Sequence, residues 1–129
     1  MGSEFDLMNK ANVIVLWKFL ASCAFGHFGP PCTSFSLARR GKAPRSRQFP
    51  LGKPGLSEND RWIVHVGNTL MHLCERGMQF LYERGTPGSL EQPNTCRMWL
   101  CRSMVRALHK TNSLNTNIVM CKFGTPWRK

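Results

Sequence analysis

The chain has 129 residues, with eighteen Lys and Arg against seven Asp and Glu, a formal net charge of +11. That surplus favours polyanionic partners, nucleic acid or an anionic membrane surface, and leaves few carboxylates for acid/base or hard-metal chemistry. The apolar fraction of 42% is ordinary for a globular protein. Most of it lies in residues 11–25 and 62–123, so the expected fold is small and marginal unless something else supports it.

MGSEFDL (1–7) reads as a vector-derived leader, because Gly-Ser and Glu-Phe are what common cloning sites encode. The expected natural start is Met8. From there Lys10 precedes an apolar run, Ala11 to Phe25, that ends in small residues. The order resembles a secretory signal peptide, and Leu20-Ala21-Ser22-Cys23 is similar to a lipoprotein lipobox, which would imply export or acylation of Cys23. Lys18 within the run opposes insertion into hydrocarbon, and the run is too short to span a bilayer. The competing reading of 8–25 is a helix packed on the rest of the protein.

Residues 26–60 show neither a helical nor a strand period. LARRGKAPRSRQFPLGKPG (37–55) carries Arg39, Arg40, Lys42, Arg45, Arg47 and Lys53 with no acidic residue. Proline, glycine and like-charge repulsion predict a flexible, disordered basic arm. Such a run suits a nucleic-acid backbone, a nuclear-import tag, or processing at Arg39-Arg40.

The folded domain is expected over 61–129. RWIVHV (61–66) has the composition of a short strand, ended by Gly67. Asn68 then suits a helix cap; Leu70, Cys74, Met78 and Leu81 follow at helical spacing, and Gly85 suits the stop. After the loop at 86–93, residues 95–110 predict a second helix capped by Asn94. Its apolar stripe is Cys101, Met104, Val105 and Leu108. The opposite side carries Arg102, Arg106 and Lys110 every four residues, with Trp99 beside them. NIVMCKF (117–123) reads as a strand and 124–129 as a basic tail.

Six cysteines, at 23, 32, 74, 96, 101 and 121, are too sparse for a disulfide scaffold, so buried thiols and bridges both stay open. His72-x-Cys74 and Cys96-x4-Cys101-x7-His109 lack the paired spacing of tetrahedral zinc sites, and no metal or cofactor is expected. No nucleophile, His and acid share a recognisable frame, so enzyme activity is not expected.

The fold class that follows is small α+β or mainly α: two to three helices, one or two short strands and a disordered basic segment. The functional expectation is a small basic binding protein that engages nucleic acid or another polyanion. Its contacts would come from the 39–53 arm (Arg39, Arg40, Lys42, Arg45, Arg47, Lys53) and the 97–110 face (Trp99, Arg102, Arg106, Lys110). No small-molecule substrate is expected, and an intracellular location is favoured slightly over secretion. Two alternatives stand beside this. One is a secreted or membrane-associated protein with 8–24 as signal or anchor. The other is an artificial or recently arisen open reading frame without a selected role, suggested by local signals that disagree with one another.

Overall fold

In the computed structural model, which describes residues 6–37 and 41–118, the apolar run after Lys10 is a helix, α1 (Lys10–Ser22). Asn9 starts it, its side-chain oxygen accepting the Ala11 amide at 3.0 Å. A three-residue strand, β1 (Gly26–Phe28), follows. The long helix α2 (Glu58–Glu83) then crosses back, and β2 (Gly88–Leu90) pairs with β1 in parallel. A parallel pair needs a long crossover, and α2 supplies it. A 3-10 turn (Arg97–Leu100) and a last helix, α3 (Arg102–Lys110), complete a small α+β fold.

The expected strand at 61–66 is instead the second turn onward of α2. Ser57 caps that helix, accepting the Asp60 amide at 3.2 Å while its hydroxyl donates to Asp60 Oδ2 at 3.0 Å. Glu58 and Asp60 place negative charge at the positive end of the helix dipole. From there Val64, Gly67, Met71, Cys74, Met78 and Leu81 form one buried stripe that runs straight through the expected strand. Packing along that stripe overrides the local β preference of Trp62, Ile63, Val64 and Val66. Gly85 does stop the helix. At φ +68° it donates to Tyr82 O while Thr86 donates to Leu81 O, the Schellman arrangement.

The two glycines inside α2 are flat places for incoming side chains. A Cβ on Gly77 would stand 2.6 Å from Phe28 Cζ, so β1 packs directly on the helix there. A Cβ on Gly67 would stand 2.5 Å from Ser34 Oγ and 2.9 Å from the Arg45 guanidinium. α1 lies on the Arg76/Phe80 side of α2, with the Trp17 and Phe80 rings 5.5 Å apart and Arg76 5.1 Å over Trp17. α3 lies on the other side, where Met71 meets Cys101 and Met104, and Asn112 donates to the Tyr82 hydroxyl at 2.9 Å. Phe35, Cys96 and Met98 complete that core.

The expected helix over 95–110 is broken. Cys101 is extended (φ −75°, ψ 122°) and separates the 3-10 turn from α3. The break turns both Cys96 and Cys101 into the core, which one continuous helix would not permit. It also shifts the buried face of α3 to Met104 and Ala107; Val105, expected inside, is 52% exposed. The expected strand at 117–123 is not found in its described part, since Asn117 and Ile118 have no regular structure, and 119–123 lie outside the described residues.

Candidate polyanion interface

The outward face of α3 carries Arg102, Arg106 and Lys110, all exposed, with His109 beside them. At 1.5 Å per residue their Cα atoms rise ~6 Å apart along a face about 12 Å long. None of the three makes an ion pair with a described residue. Helix stability accounts for only part of the row. His109 and Lys110 suit the negative C-terminal end, but Arg102 opens a helix that has no acidic residue in its first turn, where a cation is unfavourable. The arrangement is a row of uncompensated positive charge offered to solvent.

Trp99 is not part of that row. It belongs to the 3-10 turn, half-buried against the core, and its indole Nε1 donates to Pro93 O at 3.0 Å. The break at Cys101 removes it from the arginine face where helical spacing had placed it. Its ring is therefore committed to packing rather than offered to an unpaired base.

The basic segment divides. Lys42, Arg47 and Lys53 are exposed. Arg39 and Arg40 lie outside the described residues. Arg45, expected among the polyanion contacts, is 0% exposed. Residues 41–57 form no helix or strand, as the missing period implies, yet they fold over α2 rather than hang free of it. Lys53 donates to Pro44 O at 2.9 Å and Asn68 Nδ2 donates to Leu51 O at 3.0 Å.

The arginine itself holds this together. Its Nε and Nη2 donate to Ser34 Oγ at 3.2 and 2.9 Å. Nη1 donates to Pro50 O and Asn68 Oδ1, each at 2.7 Å, and Nη2 reaches Val64 O at 3.1 Å. The guanidinium also lies 3.6 Å over the Phe35 ring. None of these partners is a carboxylate. Burial lowers its pKa from 12.5 to about 10, partly opposed by the nearby Cys101 and Cys96 sulfurs. The charge survives at neutral pH. Because Phe35 shares a core with Cys101 and Met104, Arg45 fixes the basic loop beside the start of α3. Composition counted this arginine with the surface cations. The signal that separates it is Gly67, a glycine in the middle of a helical apolar stripe, which marks a close approach.

Other polar pairs are simple. His27 Nδ1 lies 2.8 Å from Ser89 Oγ across the parallel pair, and His72 Nδ1 lies 2.7 Å from Glu75 Oε2. Among the described residues no group of three or more His, Cys, Asp or Glu is arranged to hold a metal, and no helix is long and apolar enough to cross a membrane. Cys23, Cys32, Cys74, Cys96 and Cys101 are free thiols. Two open grooves mark the described surface, one of about 420 Å³ along Trp17, Arg76, Phe80 and Glu83 and one of about 220 Å³ beside Trp62 and Ile63. Compared with protein-family models, curated proteins and solved structures, the chain has no match.

Proposed function

We propose that this chain is a small basic binding protein that engages a polyanion, nucleic acid, through the outward face of α3. The observation that supports this is the row Arg102, Arg106, Lys110, exposed and without a described acidic partner. Lys42, Arg47 and Lys53, on the loop that Arg45 ties down, are further exposed cations. Binding of this kind is electrostatic: each lysine or arginine at a phosphate releases condensed counterions, and affinity falls linearly in a log–log plot against salt. With the Trp99 ring packed inward, little extra affinity for single strands is expected, since stacking on an exposed ring is what provides it.

The test is a salt titration of binding to duplex and single-stranded DNA by fluorescence anisotropy. Changing Arg102 and Arg106 together to Ala should weaken both and flatten the slope on duplex by about 2, at ~0.9 per phosphate contact. An unchanged slope would show the α3 face to be solvated surface only. Absence of binding at low salt would end the nucleic-acid reading.

A further inference from the structure

The other end of the fold carries a different surface. On α1, Ala11, Ile14, Val15, Lys18, Phe19 and Ser22 share one outward stripe at helical spacing, and all are exposed. Ile14 is 57% exposed, Val15 63% and Phe19 70%. Phe25, three residues past the helix, is 56% exposed as well. The inner face is already satisfied, with Leu20 buried against Gly77 and Trp17 on Phe80. Scattered exposed apolar residues are ordinary, but a contiguous stripe marks a surface that meets something.

Charge and size identify the occupant. α1 contains no Asp or Glu, begins at Lys10 and carries Lys18 within the stripe. Arg84 closes its far end, donating to Ala21 O at 2.8 Å. We infer that the outer face of α1 lies in the headgroup–acyl boundary of an anionic membrane surface, parallel to its plane, with Lys10, Lys18 and Arg84 level with the lipid phosphates. Thirteen residues make a rod of ~20 Å, against the ~30 Å of a hydrocarbon core, so the helix lies on a bilayer rather than through it. A second copy of the chain fits less well. Each copy would bring a charge of +11 to such an interface, and that repulsion opposes self-association. Lys18 would be costly in a dry interface, whereas at a lipid surface its stem stays among the apolar side chains while the ammonium reaches the phosphates.

This does not depend on the α3 reading, because the two helices flank α2 on different sides: Phe80 and Tyr82, two residues apart, point about 160° apart on it. The experiment is co-sedimentation of the full chain with vesicles of phosphatidylcholine containing phosphatidylserine, and with phosphatidylcholine alone. Binding should require phosphatidylserine. Ile14→Ser with Phe19→Ser should lower the partition coefficient about 30-fold, which is ~2 kcal/mol at 1.4 kcal/mol per tenfold. Both side chains face solvent, so the thermal midpoint should not move, and duplex DNA binding should match the parent chain. A double variant that partitions like the parent would show charge alone at work and overturn the inference. So would a parent chain that stays in solution, or a concentration-dependent dimer in sedimentation velocity that the double variant abolishes.

Discussion

Changing Arg45 to Ala tests whether this arginine belongs to the core or to the charged surface. In favour of the folded state are five donor contacts from a charged group, together about 5 kcal/mol before the burial of the guanidinium charge itself is counted. Against it stands desolvation: a pKa that falls from 12.5 to about 10 represents ~3 kcal/mol opposing the charged form on folding. A lowered pKa on a base is a penalty in full force below pH 10, so at neutral pH it must be subtracted, leaving about 2 kcal/mol. The buried stem adds ~1–2 kcal/mol of packing. Arg45→Ala should therefore cost roughly 3–4 kcal/mol, a large share of a small domain's stability. Arg47→Ala, two residues on, exposed and of equal charge, should cost less than about 0.5 kcal/mol. Urea unfolding followed by circular dichroism at constant salt reads both. Equal costs would refute the placement of Arg45 beneath α2. A change in the DNA salt slope with no loss of stability would refute it more sharply.

Gly67→Ala should lower stability by about 1–2 kcal/mol, because crowding Ser34 and Arg45 outweighs the ~1 kcal/mol of helix propensity that alanine adds; a higher urea midpoint would contradict this. In a Cys121→Ser background at pH 8, a maleimide should label Cys23 and Cys32 well before Cys74, Cys96 and Cys101. Burial pushes the thiols of Cys74 up to about 12 and Cys101 up to about 11, and raises Cys96 as well, so uniform labelling would place them outside the core. Limited trypsin digestion should cut after Lys42 and Arg47 before it cuts after Arg45, Arg102 or Arg106. Equal rates at all five would mean that no cooperative fold protects them, as the reading of an open reading frame without a selected role expects.

How far the sequence could be read depended on whether a signal was local. The Gly85 stop declares itself within a few residues and ends α2 where it was expected; the helix at α1, one of two readings of that run, and the exposure of the α3 cations are local signals too. What failed were places where two distant segments decide together. RWIVHV is a good strand by composition, but the stripe from Val64 to Leu81 becomes visible only if Gly67 is accepted as helical. Position 67 is glycine because Ser34 and Arg45 occupy the space a side chain would need, and a glycine there marks a close approach without saying which segments make it. The same holds for the three-residue strands: Gly26 and Gly88 pair because Leu81 fits over both, a match between segments about sixty residues apart. The break at Cys101 was hidden for another reason. A continuous 3.6-residue period over 95–110 is available to the sequence, and the demand that Cys96 and Cys101 both enter the core wins.

The placement of Arg45 also alters how the remaining charge acts. A core arginine held by hydroxyl, amide and carbonyl oxygens has no carboxylate partner to lose in acid, so this node does not weaken as pH falls. The surface is different. With few acidic residues, and Asp60 and Glu75 engaged in local bonds, its cations repel one another at low salt and oppose the compact state. Anything that neutralises Arg102, Arg106 and Lys110 relieves that repulsion in the folded form. A polyanion that binds the native chain and not the unfolded one raises stability by about 2.7 kcal/mol at a hundred times its dissociation constant. In a domain with so small a core, the ligand of the α3 face would then be part of what holds the domain folded.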